Sequence, residues 1–281
     1  MRIAIITIIY NKDISEIDLI DKYLKNNDDV YSLYAIDNGS KKYNNKEFCD
    51  RHSIQYIDNK VNKGLSKSYN EVISRIINKF DYFIFTDDDT TVPDDFFNVY
   101  KSEAENGKDV HVPIVYGQDN VIYSPNSAGL FKNKLYDIDR LNEIKKFNAI
   151  MSCLMVKASL FNSYSFDEGL FVDQVDQNLF DYFREIKTKN NIINIIINQN
   201  FHQRNKHIDE KSGWSRFRIR IRDLKKYYSK YGFIIQVLAN IKIILLATQL
   251  SKKSNSKTIL INTIKELIHE RNLSKISRAK P

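Results

Sequence analysis

An α/β fold with a mostly parallel sheet is predicted by three features of this 281-residue chain. Apolar runs at Ile3–Tyr10, Val30–Ile36, Ile54–Ile57 and Tyr82–Phe85 are short, β-branched or aromatic, and bounded by polar turns, as buried strands are. Between them, Ile14 to Leu24, Tyr43 to Arg51 and Leu65 to Ile77 carry apolar residues at helical spacing. Only 8 Gly and 4 Pro accompany 42% hydrophobic residues, which excludes a loop-built or disordered chain. Alternation of this kind forms βαβ crossovers, in which strands lie parallel and helices cover the faces.

The first run ends in the polar turn Tyr10-Asn11-Lys12-Asp13. No Gly-x-Gly-x-x-Gly follows it and no Gly-Lys-Ser/Thr loop occurs, which argues against dinucleotide oxidoreductases and P-loop enzymes. Met1 to Tyr10 lacks the basic start, long apolar stretch and cleavage site of a signal peptide, so a strand is expected there. After the fourth run, Phe96–Glu105 predicts a helix, and Val110–Tyr116 and Val121–Tyr123 predict strands. Asn148–Val156 reads as one strand running into a helix around Lys157–Phe161. Phe171-Val172-Asp173-Gln174-Val175-Asp176 leads into a helix through about Glu185, and Ile192–Ile197 is the last predicted strand.

Charge divides the chain. Residues 201–281 hold 19 Lys and Arg against 5 Asp and Glu, a net of +14, while residues 1–200 hold 24 against 30, a net of −6. An acidic first part suits a cation, and a basic second part suits an anionic partner such as lipid. Beyond Phe201 basic helix is expected, with Arg216, Arg218, Arg220 and Arg222 two apart. Gly232–Leu250 is apolar but interrupted by Gln236, Asn240, Lys242 and Gln249, which suits an interfacial or packed helix better than a membrane span. An ordinary core helix with solvated basic flanks is the plainer alternative. Cys49 and Cys153 are too few and too unpatterned for a metal framework, and a reducing cytosol is expected.

The sharpest feature is chemical. Tyr82-Phe83-Ile84-Phe85 is followed at once by Thr86-Asp87-Asp88-Asp89. Adjacent acids repel one another, and a divalent cation that prefers hard oxygen ligands, Mn²⁺ or Mg²⁺, neutralises them. The cluster falls beyond the carboxyl end of a strand, where open α/β sheets bind ligands. A solvated turn is the bland alternative, because Thr90-Thr91-Val92-Pro93-Asp94-Asp95 has the form of a helix start.

Three further segments stand in order at the ends of alternating strands. They are Thr7-Ile8-Ile9-Tyr10-Asn11, Ile36-Asp37-Asn38-Gly39-Ser40, and Asn62-Lys63-Gly64-Leu65-Ser66-Lys67-Ser68-Tyr69-Asn70. With the Asp-x-Asp pattern of Thr86–Thr90, they resemble the bacterial family 2 glycosyltransferases of the GT-A fold over about residues 1–205. The resemblance implies transfer of a sugar from a UDP- or dTDP-sugar to a glycan hydroxyl, with inversion. It implies that Thr7, Tyr10, Asn11, Asp37, Asn62, Gly64, Lys67, Asp87 and Asp88 contact the donor. It implies a metal held by Asp89 and Asp87, with His202 completing the sphere and Asp88 able to exchange roles with Asp87. Asp176 matches the catalytic base, with Asp173 as its rival. The family often carries an acidic residue shortly after the base, where this chain has Gln177 and Asn178.

The chemistry of these residue types agrees. A carboxylate placed as Asp37 is can accept the imide N–H of a uracil or thymine ring, though it can equally close an Asx turn with Asn38-Gly39. A helix start after Asn62 and Gly64 favours anionic oxygen through its N–H groups and macrodipole. A cation clamped by acids stabilises charge on a departing diphosphate, and one carboxylate that takes the acceptor proton contributes about 10²–10⁴-fold.

The chain is therefore expected to divide into residues 1–205, which bind the nucleotide-sugar and catalyse, and residues 206–281, which contact acceptor, membrane or a second copy. A lipid-linked glycan acceptor, a role in capsule, exopolysaccharide or cell-wall synthesis, and a cytoplasmic location peripheral to anionic membrane follow as expectations. The alternative is a catalytically silent GT-A-like protein that binds nucleotide-sugar or supports a partner transferase. No nucleic acid is expected, because the basic region lacks aromatic interleaving and any groove-reading module.

Overall fold

The computed structural model describes residues 1–40, 42–200 and 209–278, with side chains as far as Ile268. Met1–Phe171 and Val175–Phe201 form one compact unit, and Val172–Gln174 with His202–Pro281 form another. The first unit opens with the predicted alternation: β1 (Ile3–Ile9), α1 (Asp18–Lys25), β2 (Tyr31–Asp37), α2 (Asn45–Arg51), β3 (Gln55–Asp58), α3 (Leu65–Ile76) and β4 (Tyr82–Asp87). It continues with β5 (Thr90–Thr91), α4 (Phe96–Glu105), β6 (Val110–Tyr116), β7 (Ile122–Ser124), β8 (Asn126–Ser127), β9 (Phe147–Asn148), β10 (Leu154–Lys157), α5 (Val175–Glu185) and β11 (Asn190–Gln199).

Among the described residues one large sheet runs β3-β2-β1-β4-β10-β6-β11-β5, with β7 on β6, and β8 and β9 make a separate ladder. β1 pairs parallel with β2 and β4, β2 with β3, and β6 with β11. β10 is inserted antiparallel between β4 and β6. Because β10 runs against both neighbours, β4 and β6 point the same way. The C-terminal ends of β1, β2, β4, β6 and β11 therefore gather at one edge, where open α/β sheets bind ligands.

The centre of the sheet explains why β1 and β4 are continuous apolar runs without alternation. Strands covered on both faces bury every side chain, and Ile3, Ile5, Ile6, Ile9, Phe83 and Phe85 are all at 0% exposure. Truncating one such residue to Ala costs about 2–5 kcal/mol, so these strands form a rigid base for the turns that follow them.

Two predicted elements are corrected. Asn148–Val156 is not one strand: it divides into β9 and β10 around a turn in which Cys153 has φ +58° and the Leu154 N–H donates to the Met151 carbonyl at 3.0 Å. That turn places Ser152 near the sheet edge. β11 extends past the apolar run Ile192–Ile197, because Asn198 and Gln199 pair with Thr91 and Thr90 of β5. Polar side chains at a strand end carry no periodicity, so only the partner strand reveals them.

The second unit contains α6 (Glu210–Tyr228), α7 (Phe233–Lys253) and α8 (Thr258–Arg278). Asp209 caps α6 by accepting the Ser212 N–H at 3.0 Å. The two-apart arginines divide between faces of this helix. Arg216 and Arg220, one turn apart, both donate to Asp173, while Arg218 pairs with Glu266 of α8 at 3.1 Å. Asp223 is 1% exposed and accepts the N–H groups of Val172 (2.8 Å) and Asp173 (2.7 Å). α7 is long and apolar enough to cross a membrane by length and composition, and little of it is buried.

Candidate active site

The acid turn is held from several directions. Thr7 of β1 and Thr86 of β4 are register partners, and their hydroxyls lie 2.6 Å apart in a fully buried pair. Beyond Thr86 the chain leaves the core through Asp87, Asp88 and Asp89 and re-pairs at once as β5. The Asn200 N–H donates to the Asp89 carbonyl at 3.2 Å. Asp88 turns toward β1: its Oδ2 accepts the Tyr10 N–H at 3.0 Å, and Lys12 donates to its carbonyl.

Asp87 and Asp89 turn toward β11 instead. Asp87 Oδ2 accepts from Ser152 Oγ at 2.6 Å and from Gln199 Nε2 at 3.0 Å. The same nitrogen lies 3.3 Å from Asp89 Oδ1. Two carboxylate oxygens thus converge on one amide donor, and Asp88 is not part of that pair. Burial, together with the charges of Asp89 and Asp88, pushes the Asp87 carboxyl up to about 7, although Ser152 and Gln199 work against the shift. Converging carboxylates that resist ionising together fit Mg²⁺ or Mn²⁺, which bind through one or two carboxylates and fill the shell with water and substrate phosphate. Among the described residues no group of three or more His, Cys, Asp and Glu side chains is arranged to hold a metal by itself. His202 lies outside the described residues.

The turn after β2 has a different character. Asp37 is 2% exposed and its carboxylate accepts four donors: Gly39 N–H (3.0 Å), Ser40 N–H (2.6 Å), Asn45 Nδ2 (2.8 Å) and the Tyr56 hydroxyl (3.0 Å). These four donors match the roughly four lone-pair sites of a carboxylate and build the Asx turn that was the alternative reading. Asn38 continues the network, its Oδ1 accepting from Asn59 at 2.7 Å and from Ser68 at 3.0 Å.

The segment opening α3 is shaped by one glycine. Asn62 Oδ1 accepts the Gly64 N–H at 2.9 Å, and Gly64 sits at φ +80°. A Cβ there would lie 2.5 Å from the Phe171 carbonyl oxygen and 2.7 Å from its ring. That close approach lets the Phe171 carbonyl accept the first α3 amide, Leu65 N–H, at 2.6 Å. Asn11, also left-handed at φ +53°, and the 58%-exposed Tyr10 border the edge after β1, and Lys67 is exposed on the first turn of α3.

Asp176 stands in the first turn of α5, its Oδ1 accepting the Gln177 N–H at 2.8 Å. Tyr69 of α3 connects it to the acid turn. This phenol is at 0% exposure, and among the described residues its hydroxyl has no hydrogen-bond partner. Burial first, then the charges of Asp87 and Asp176, hold its pKa well above the usual tyrosine range. One buried hydroxyl is therefore within electrostatic reach of both carboxylates. Asp173 is differently placed. Burial opposes its ionisation, but Arg220 at 3.0 Å and Arg216 outweigh this and hold its carboxyl below the usual range. An ion-paired carboxylate of lowered pKa is a weak proton acceptor, which counts against Asp173 in that role. Sequence reasoning missed Ser152, Gln199 and Tyr69. A polar stretch at the end of an apolar run, Asn198-Gln199-Asn200, was the signal for Gln199.

The Asp87 carboxyl titrates near 3.8 unfolded and about 7 folded, so the stability from holding that proton is full below pH 3.8 and is lost as pH rises through 7. Asp87→Asn is accordingly expected to melt a few degrees above the natural protein at pH 8 in EDTA, with a smaller gap at pH 5. Melting curves at both pH values check this, and an equal gap at both would contradict the shift.

The sequence matches the family model described as Glycosyl transferase family 2 over residues 4–165. A comparison with curated proteins finds none that matches. Among solved structures, S. aureus TarS 1–349 is similar with a TM-score of 0.52 at 13% identity, covering 98% of this chain and 92% of that one. TarS 1–349 in complex with UDP gives 0.51 at 12% identity, covering 89% and 72%. The longer S. aureus TarS chain gives 0.50 at 13% identity, with 92% of this chain spanning 44% of that one. At such identities the likeness is one of fold. The family match spans more than half of the chain and covers the sheet edge that gathers Thr7, Asp37, Gly64 and Asp87–Asp89, and on that ground this chain belongs to glycosyl transferase family 2 and has the GT-A fold.

Proposed function

We propose that the chain transfers a sugar from a UDP- or dTDP-sugar to a hydroxyl of a glycan acceptor, inverting the anomeric centre. The observation that carries this reading is the convergence of Asp87 and Asp89 on Gln199 at the sheet edge, with Asp176 acting on the same buried Tyr69 as Asp87. That one similar fold, TarS 1–349, was solved in complex with UDP supports a uridine-type donor.

In this reading Thr7, Tyr10, Asn11, Asn62, Gly64 and Lys67 border the nucleotide, and Asp37 shapes the turn beside it. Asp88 belongs to the same border through its bond to the Tyr10 N–H. Asp87 and Asp89 would hold Mg²⁺ or Mn²⁺, which when bound supplies Lewis-acid stabilisation of the departing diphosphate. Asp176 accepts the proton of the acceptor hydroxyl. The freed oxygen forms a bond to the anomeric carbon as the bond from that carbon to the phosphate oxygen breaks, and the nucleoside diphosphate leaves with the electron pair. Attack opposite the leaving group by a single activated hydroxyl inverts configuration.

The second unit supplies the location. On α7, Phe233 (77% exposed) and Ile234 (73%) lead a stripe continued by Val237, Ile241, Ile244 and Leu245, and Ile261, Ile264 and Ile268 are exposed on α8. Lys252 and Lys253 close α7 in a region of net positive charge. We assign this unit to peripheral contact with the anionic inner face of the plasma membrane, near a lipid-linked glycan acceptor for capsule, exopolysaccharide or cell-wall polysaccharide synthesis.

Asp176→Asn is expected to bind donor as the natural protein does and to lose transfer by about 10²–10⁴-fold, read from turnover beside a donor-binding isotherm. Undiminished turnover would move the base elsewhere, and an NMR-assigned product of retained configuration would remove the single-displacement reading. In flotation assays the chain is expected to rise with vesicles containing anionic lipid and not with neutral ones, and Phe233→Ser with Ile234→Ser should abolish this. Indifference to anionic lipid would contradict the assignment.

A further inference from the structure

A trough of about 310 Å³ opens beside the β6–β7 hairpin, lined by Tyr116, Asn120, Ile122, Tyr136, Asp137 and Ile138 among others. Ile122 and Tyr136 of its lining belong to an apolar cluster with Ile114 and Leu141, against which Tyr116 packs. Its rim is polar, with Asn120 and Asp137 both exposed. The hairpin that carries Asn120 is closed by the Gly117 N–H bond to Val121 (3.0 Å) and the Asn120 N–H bond to Gly117 (3.1 Å).

Two connections tie this trough to the site. Tyr116 ends β6 at the ligand edge and pairs with Asn198, the neighbour of Gln199, which bridges Asp87 and Asp89. On the other side, Asn133 Oδ1 accepts from Gln177 Nε2 at 3.1 Å and from the Gly129 N–H at 3.2 Å. Gln177 adjoins Asp176, and Leu135, which lines the trough, follows Asn133 within about 7 Å of chain. The segment Asn133 to Ile138 thus runs from the α5 turn to the trough wall.

The chemistry of the walls selects the ligand. An apolar, aromatic lining suits the C–H face of a sugar ring, and a rim of amide and carboxylate suits its hydroxyls. The Asp137 carboxylate on the rim and the Lys134 ammonium, 4.7 Å from the centre of the Tyr136 ring, offset one another in charge, which suits a neutral ligand. The volume lies at the small end of ligand sites, room for one or two sugar residues. We propose that the trough is an acceptor subsite for a neutral saccharide unit adjoining the one whose hydroxyl reacts. This rests on the glycosyl-transfer reading given above, with Asp176 as base.

Saturation-transfer NMR on the full chain, with UDP and Mn²⁺ present, tests it using lactose, cellobiose, maltose and glucose 1-phosphate as probes. At least one neutral disaccharide is expected to bind more tightly than glucose 1-phosphate. Asn120→Ala with Asp137→Ala, both on the exposed rim, and separately Tyr116→Ala, should each weaken that binding by about tenfold, with melting curves reporting that the variants remain folded. No saturation transfer to any disaccharide, unchanged binding in the rim variant, or preference for the sugar phosphate would overturn the subsite. Failure of the natural protein to bind UDP would instead overturn the transferase reading.

Discussion

Two carboxylates forced together at the end of a central strand set the terms for the rest of the first unit. Asp87 and Asp89, both partly exposed, repel each other, and the protein holds them there with Ser152, with the amide of Gln199, and with the pairing of β5 to β11. Such an arrangement lowers stability in the free protein, and Asp87 responds by keeping its proton up to about pH 7. Strain of this kind collects at functional sites because a ligand relieves it. In the proposed function a dication and the diphosphate it accompanies would relieve that repulsion.

The rigid surroundings make that corner possible. β1 is buried along its length and β4 up to Thr86, so the turns that leave them start from well-packed strands. Gly64 lets the Phe171 carbonyl cap α3, and Asp37, with its four donors, fixes the neighbouring turn. The edge thus sets well-bonded turns around a pair of carboxylates that share one amide donor.

How much of this the sequence revealed follows from what is local. The first four strands and three helices were legible because period and turn chemistry act over a few residues, and the acids were legible because they interrupt an apolar run. The insertion of β10 between β4 and β6 was not, since antiparallel pairing between strands so distant in sequence, such as Leu154 with Phe85 and Val156 with Val110, leaves no local mark. Ser152 and Gln199 were missed for the same reason: an isolated serine in a turn and a polar strand end acquire meaning only from their partner. The bonding of Asp37 by Asn45 and Tyr56 and the pairing of Asp173 with Arg216 and Arg220 likewise depend on residues distant in the chain. The two-apart arginines looked aperiodic because they serve opposite faces of α6.

Binding of UDP to the full chain by calorimetry, with and without Mn²⁺, in the natural protein and in Asp87→Asn with Asp89→Asn, tests the central claim most directly. Mn²⁺ is expected to tighten UDP binding in the natural protein by about tenfold or more and to have no effect in the double variant. Manganese-independent binding in the natural protein, or an undiminished manganese effect in the variant, would contradict it.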